Sequence, residues 1–352
     1  MDHDNGYHKG RRIAAWLSRI VGGCPHLVSD GFPEHIAARI DLVAKRSVMT
    51  NNFITTAPEW FRRAIDYPAQ SRFVDVDGCS VHYLTWFDVD DGPPGDDHPG
   101  LLFIHGGGAH ANWWRFIAPF FAETYRVASI DLSGMGDSGA RETYRPATWA
   151  REIGAVLKDG RLGPRSVVVG HSFGGLIAMK YGAEHGAGLS GMVIVDSPVQ
   201  DPDDIPLPKP GSPSRSRPKI HPDLPTALAR FRLMPEQPCE NDYITDFIAR
   251  TSVKPTKGGW TWKFDFKVMG SRRFGEPYGE ELKALKCRAA LIYGEKSAIV
   301  SRRTVAYMSS VMGPKAPVVE IPEAHHHVML DQPLAFVAAL RAILDAWARD
   351  PL

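Results

Sequence analysis

The sequence predicts an α/β protein: a mostly parallel central sheet with helices on both faces. Three observations predict it. Short apolar runs recur along the chain as LLFIH (101–105), RVASIDL (126–132), SVVVGH (166–171), MVIVD (192–196) and AALIYG (289–294). Each has the length and composition of a strand buried on both faces of a sheet. The segments between most of them have helical length, and strands alternating with helices specify parallel crossover connections.

The elements follow in order. Residues 1–70 read as a helical N-terminal extension, with a short amphipathic helix over 11–21 and a longer one over 33–49. In the latter, Ile36, Ile40, Val43 and Ala44 recur at helical spacing behind a proline. A further short helix is expected over 58–65. From Arg72 the texture alternates, and RFVDVDG followed by CSVHYLTWF around Asp77-Gly78 predicts a β-hairpin. After a polar loop over 88–100 come LLFIH, an apolar helix over NWWRFIAPFFAE, the strand RVASIDL and a helix over TWAREIGAVLKD. SVVVGH, a helix over SFGGLIAMKYGAEHG and MVIVD complete the first half. Alternation resumes with AALIYG, a helix over 304–312, the strand PVVEIP and a last helix over 333–349.

Between Asp196 and Arg288 the alternation stops. Nine prolines stand between Pro198 and Pro225. Proline lacks a backbone donor and disfavours helix in the residue before it, so this stretch is a loop. Helical pieces over 226–234 and 241–251 and the aromatic stretch GGWTWKFDF follow. An insertion at the carboxyl edge of a sheet reads as a cap over a pocket. The expected organisation is an extension over 1–70, core over 71–196, cap over 197–287 and core over 288–352. The cluster Lys209, Arg215, Arg217 and Lys219 reads as a solvated loop.

Composition bounds the function. The chain has 352 residues, is 43% hydrophobic and 23% charged, and carries a formal net charge of +1. Such a chain is globular, and the near-zero charge argues against a dedicated nucleic-acid binder. No apolar run reaches the roughly 18 residues that span a bilayer. Cys24, Cys79, Cys239 and Cys287 have neither zinc-site nor disulfide-framework spacing, which fits a reducing, cytoplasmic setting. In RRIAAWLSRIVGG, Arg19 breaks the apolar stretch, so no secretory leader is expected. A homo-oligomer is left open.

The sharpest chemical signal is Gly170-His171-Ser172-Phe173-Gly174, a G-x-S-x-G between a buried strand and an apolar helix. A serine at that turn is held strained with its hydroxyl exposed at the sheet edge, and glycines two positions either side let neighbouring backbone pass. A serine hydroxyl needs a base, and the run His325-His326-His327, between the strand PVVEIP and the last helix, offers three candidates. The residues alone do not choose among them. Metal binding by this run is not expected, because adjacent histidines point in different directions. His105-Gly106-Gly107-Gly108 follows a strand and reads as a backbone oxyanion site, with His105 a loop-packing residue.

HGGG, then DLSGMGDSG (131–139), then GHSFGG, then AHHHVMLDQP resembles, in this order, the α/β-hydrolase superfamily over roughly residues 72–350. The resemblance implies Ser172 as nucleophile and the backbone N–H groups of Gly107 and Phe173 as oxyanion donors. It implies His326, seven residues before Pro333, as base. Most members place an acid three residues beyond the glycine that ends AALIYG, where this chain has Ser297. Two carboxylates could replace it. Asp196 ends MVIVD, where some relatives, among them lactone hydrolases, carry their acid, and Glu295 is the alternative.

His110, Trp113, Trp114, Trp260 and Trp262 are candidate substrate-binding residues, because aromatic side chains suit an apolar or ring-bearing ligand. The expected activity is that of a cofactor-independent, metal-free serine hydrolase, an esterase or lactonase acting on a small apolar molecule. Carbon–carbon bond hydrolysis of a diketone with the same triad, and a non-catalytic small-molecule receptor on this fold, are the two rivals.

Overall fold

The computed structural model describes residues 56–89, 98–202, 219–270 and 278–350. The helices expected over 11–21 and 33–49, Cys24, and Lys209, Arg215 and Arg217 lie outside the described residues. The compact unit that carries the sheet begins at Thr56.

That unit opens with α1 (Glu59–Asp66) and the hairpin β1 (Gln70–Val76) and β2 (Cys79–Thr85). Asp77 and Gly78 make its turn with φ of 52° and 74°, the left-handed conformations that such a D-G turn requires. Next come β3 (Gly100–Ile104), β4 (Arg126–Ile130), α2 (Pro146–Asp159), β5 (Ser166–His171), α3 (Phe173–His185) and β6 (Leu189–Val195). The insertion holds α4 (Leu224–Leu228), α5 (Asp242–Thr251), β7 (Val253–Thr256), β8 (Gly259–Trp262), α6 (Phe266–Gly270) and α7 (Gly279–Lys283). The chain ends with β9 (Ala289–Gly294), α8 (Arg302–Met312), β10 (Val318–Ile321), α9 (Val328–Asp331) and α10 (Pro333–Arg349).

Eight strands form one sheet in the order β1-β2-β4-β3-β5-β6-β9-β10. β1 and β2 are antiparallel to each other, β2 is antiparallel to β4, and the pairs from β4 to β10 are parallel. All residues of β3 and β5 are buried. That is why those segments read as unbroken apolar runs. β1, on the sheet's edge, shows the half-exposed alternation of a strand with one wet face.

The insertion and the segment after β3 depart from the sequence expectation: the helical piece expected over 226–234 is the short α4, which ends at Leu228. NWWRFIAPFFAE is two single 3₁₀ turns, Ala111–Trp114 and Ala118–Phe121, and not one α-helix. Pro119 supplies no N–H, and Ile117 bonds back three residues to the Trp114 carbonyl, so the i to i−4 ladder never forms. GGWTWKFDF contributes β8, which pairs with β7 in a separate two-stranded antiparallel sheet. Its Trp-Thr-Trp alternation is a strand pattern.

Hydrogen bonds tie the insertion to the main sheet's loops on more than one side. Lys263 O accepts from Gly136 N at 2.7 Å, and Asp265 N donates to Gly134 O at 2.7 Å. On the other side, Gln237 Nε2 donates to the Asp331 carboxylate at 3.0 Å, and Asn241 Nδ2 donates to Leu330 O at 2.8 Å.

Candidate active site

Ser172 is the hinge between β5 and α3. Its φ of 53° and ψ of −120° are a strained backbone that a non-glycine residue rarely adopts, and it stands at the N-cap of α3. The turn is braced by Ser172 N donating to Val195 O at 2.8 Å on the neighbouring strand. The glycines around it answer to close approach. A Cβ on Gly170 would lie 2.7 Å from the Gly174 carbonyl oxygen, and one on Gly174 would press on the Ile104 and His105 carbonyls. The G-x-S-x-G pattern is therefore a packing requirement of this turn.

Asp196 follows β6 at the same sheet edge, fully buried and with φ of 46°. Its Oδ1 lies 2.8 Å from His326 Nδ1. The carboxylate also accepts from Gly294 N at 2.8 Å and from the Ser297 hydroxyl at 2.7 Å. These two donors favour the charged carboxylate, while burial opposes it and pushes the Asp196 carboxyl up. Burial also holds the His326 imidazole well below its ordinary range, so the ring rests neutral. A neutral imidazole whose Nδ1–H donates to Asp196 presents Nε2 as a base.

His171, next to Ser172 in the chain, carries the histidine loop. Its ring lies 4.8 Å from that of His326, and its Nε2 donates to His326 O at 3.0 Å. His327 N donates to Gln237 Oε1 at 3.0 Å. The third histidine of the run, His325, turns elsewhere and pairs with Asp331. Burial keeps His171 neutral, with a pKa lowered to about 3, and pushes His327 well down too.

Residues 106–109 form a tight turn closed by Ala109 N donating to Gly106 O at 3.2 Å, with Gly107 at its head and Gly108 at φ 76°. A Cβ on Gly106 would sit 2.9 Å from His171 Nδ1. His105 accepts from Leu132 N through Nε2 and donates from Nδ1 to Gly106 O, so it fixes the loop as expected. Phe173 opens α3 directly after Ser172, at a positive helix N-terminus that favours a developing anion.

The other candidates separate. Glu295 is exposed and accepts from Glu323 N at 2.9 Å, away from His326. Trp113 lies beside the site, its ring 5.2 Å from His327. Trp114 is a core residue, stacked on Phe103 at 4.8 Å and packed on Phe336. His110 is buried, and its Nε2 donates to the Ser252 hydroxyl at 2.9 Å, which ties the loop after β3 to the insertion. Trp262 packs within the insertion against His221 and Phe231, and Trp260 pairs with His221 through its backbone.

The expectation that the adjacent histidines point apart holds for His325 but not for the next two: His326 and His327 lie with their ring centroids 4.8 Å apart, and with His171 they bring three ring nitrogens within 4.8 Å of one another. Such a set suits zinc or another imidazole-binding cation. The sequence hid His171 inside the nucleophile motif and Gln237 inside a proline-containing loop.

Known proteins fit this architecture. The model of the alpha/beta hydrolase family matches residues 101–340. Esterase Rv0045c of Mycobacterium tuberculosis is 26% identical over 284 residues, 77% of this chain and 88% of that protein. Pimeloyl-[acyl-carrier protein] methyl ester esterase of Edwardsiella ictaluri is 32% identical over 97 residues, 28% of this chain and 36% of that protein. The solved structure of E-2-(acetamidomethylene)succinate hydrolase superposes with a TM-score of 0.66 at 21% identity, covering 79% of this chain and all of the other. The family match spans most of the sheet and every residue of the Ser172, Asp196 and His326 constellation: the chain belongs to the alpha/beta hydrolase family and is a hydrolase.

Proposed function

We propose that the protein cleaves a carboxylic ester or lactone of a small, largely apolar molecule through an acyl-enzyme on Ser172. The observation that carries the proposal is a strained serine at a strand-to-helix turn, beside a buried Asp196–His326 pair 2.8 Å apart. In this reading Ser172 Oγ attacks the carbonyl carbon and His326 Nε2 takes its proton. His326 then gives that proton to the departing alkoxide and later activates the water that frees the acid. Asp196 holds the imidazole in the right tautomer and stabilises the imidazolium as it forms. The N–H groups of Gly107 and Phe173 receive the oxyanion, each such donor contributing about 10²–10³ in rate. The ester-cleaving relatives support this bond class. The ring of Trp113 beside His327 supports an apolar acyl or alcohol group in the pocket, and the insertion, bonded to loops on both sides of the site, acts as its cap.

The test is turnover of a panel of p-nitrophenyl esters and aliphatic lactones by the wild-type chain and by Ser172→Ala and His326→Ala. Each variant is expected to lose about 10³-fold or more in kcat. Retention of turnover by a folded Ser172→Ala overturns the assignment. Diketone cleavage without ester cleavage would shift the reaction to carbon–carbon bond hydrolysis at the same residues.

A further inference from the structure

A second serine, histidine and aspartate lie in line on the sheet's edge, far from Ser172 in sequence. Ser71 Oγ is 2.8 Å from His82 Nε2, and His82 Nδ1 is 2.7 Å from Asp131 Oδ2. Ser71 is exposed, whereas His82 and Asp131 are buried. We propose that Ser71, His82 and Asp131 form a second nucleophilic relay, which makes Ser71 an acyl-acceptor site for activated esters.

The hydrogen-bond directions are fixed by the surroundings. Asp131 accepts from Ala111 N at 2.5 Å and from Asp137 N at 2.8 Å, besides His82. Burial pushes its carboxyl up, but the hydrogen bond and proximity of His82, with His105 and His110 nearby, hold it at about 2, so it is charged and can only accept. His82 Nδ1 therefore carries a proton, and in the neutral imidazole Nε2 is then the acceptor for the Ser71 hydroxyl. That is the arrangement in which an imidazole can remove a serine proton, with a buried carboxylate behind it to stabilise the charge that results.

The strand register adds two features. His82 N donates to Ser138 Oγ and His82 O accepts from Asp131 N, both on the β4 side. Phe73↔His82, and by alternation Ser71↔Leu84, are thus non-hydrogen-bonded pairs of the β1–β2 ladder. The Ser71 N–H points away from β2 on the outermost strand, adjacent to the attacking oxygen and available to a developing oxyanion. Phe73 stands two residues on, on the same face, 55% exposed and with its ring 4.9 Å from that of His82. It offers an apolar platform beside the hydroxyl for an aryl leaving group.

The step balances without a co-reactant. Ser71 Oγ forms a bond to the acyl carbon, the bond from that carbon to the leaving oxygen breaks, and the proton passes through His82 Nε2 to the departing alkoxide. The products are O-acyl-Ser71 and a free alcohol. A positioned general base contributes about 10²–10⁴ in rate. A preformed oxyanion hole of two donors, which Ser172 has in the reading above and a flat edge strand does not provide, accounts for a comparable factor. Ser71 is therefore expected to acylate slowly and about once per chain, well ahead of ordinary surface serines and far behind Ser172.

The experiment uses the full chain carrying Ser172→Ala, treated with p-nitrophenyl acetate and separately with a fluorophosphonate, followed by intact mass and peptide mapping. Ser80, exposed on the same hairpin, is the internal comparator. A single adduct is expected, on Ser71, formed at least about 10-fold faster than any on Ser80. Ser71→Ala should remove it, and His82→Gln should slow it by a similar factor. Labelling of Ser71 no faster than of Ser80 overturns the proposal. So does equal labelling in a folded His82→Gln, and the comparison within one chain decides the matter even where that variant does not fold. The result is independent of the Ser172 assignment, which is read from catalytic turnover and not from a stoichiometric adduct.

Discussion

Ser297 donates its hydroxyl to Asp196 Oδ1, the same carboxylate oxygen that holds His326 Nδ1. Ser297 occupies the position where the family resemblance leads one to expect the acid, so the usual site and its replacement are hydrogen-bonded to each other. Its oxygen in turn accepts from the amides of Ile299 and Val300 at 3.3 and 3.1 Å, which polarises the O–H toward the carboxylate. In the proposed triad the acid follows β6, and Ser297 donates a hydrogen bond that favours its charged form.

This division of labour separates two substitutions. Asp196→Asn should cost on the order of 10³–10⁴ in kcat, because the amide cannot stabilise the imidazolium and favours the wrong tautomer. Ser297→Ala removes one of two outside donors to a carboxylate that remains in place. It should cost roughly 10-fold or less, the scale of one hydrogen bond to a charged group. Kinetics on one p-nitrophenyl ester distinguish them. Equal losses would mean that Ser297 touches the reacting groups itself, and loss only in Glu295→Gln would move the acid to Glu295.

Gly175 packs the nucleophile helix against Ser197. A Cβ there would overlap the Ser197 hydroxyl and come within 2.9 Å of both Ser197 Cβ and the Gly170 carbonyl oxygen. Gly175→Ala should destabilise by about 1–3 kcal/mol, the usual cost of an overpacked buried contact. Ser197→Gly removes most of the colliding atoms, so the double variant should recover part of that loss. Urea denaturation of the two singles and the double measures the coupling, and strict additivity would show that the helix shifts instead.

The parallel sheet was legible because strands buried on both faces write unbroken apolar runs, and β3, β5 and β6 are such strands. Ser172 was legible because its motif sits between one of those runs and a helix. Pairings set by the three-dimensional fold were not. Ser71 and His82 meet only through a hairpin register, and His171 reaches His327 only through the crossover geometry. The 3₁₀ turns at 111–121 were misread because aromatic periodicity imitates a helix and one proline decides against it. Trp114, a candidate for either pocket or core, lies in the core, since an indole's composition signal is the same in either place.

His326, the proposed base, and the two neutral imidazoles beside it, His171 and His327, should make the site sensitive to zinc. His171 Nδ1 is buried with no hydrogen-bond partner among the described residues, and His326 Nε2 is the nitrogen that Asp196 leaves available. Tetrahedral zinc holds nitrogens at about 2.0–2.1 Å, so the three rings, with nitrogens within 4.8 Å of one another, need to close inward by less than about 1 Å. Micromolar Zn²⁺ should suppress turnover by occupying the lone pair that the reaction needs, and chelation should restore it. His327→Phe should keep turnover within several-fold while weakening inhibition by at least about 10–100-fold, which is already the scale of losing an outer-shell partner of a metal ligand. Inhibition unchanged in that variant would place the zinc elsewhere.

Acid should unfold the protein through its buried histidines before it titrates its surface. Burial lowers His110 and His171 to about 3 each, whereas in the unfolded chain both titrate near 6.5. Between those values the unfolded state binds more protons than the native one, so stability falls as pH falls through the window. The slope is about 1.4 kcal/mol per pH unit for each ring held neutral. Asp196 works the other way: charged and hydrogen-bonded above about pH 7, its buried carboxyl takes up a proton as pH falls below that, before the same carboxyl in the unfolded chain does at about 4. One carboxyl offsets one histidine, and the remaining imidazoles, His326 and His327 among them, decide the sign. Asp131, lowered to about 2, adds a further loss only below the ordinary aspartate range. The melting temperature should therefore drop steadily from pH 7 to pH 5, by roughly 2–4 °C for each kcal/mol lost. His110→Gln should flatten that slope by one histidine's share. A melting temperature independent of pH over that interval would mean that these rings take up protons in the folded protein.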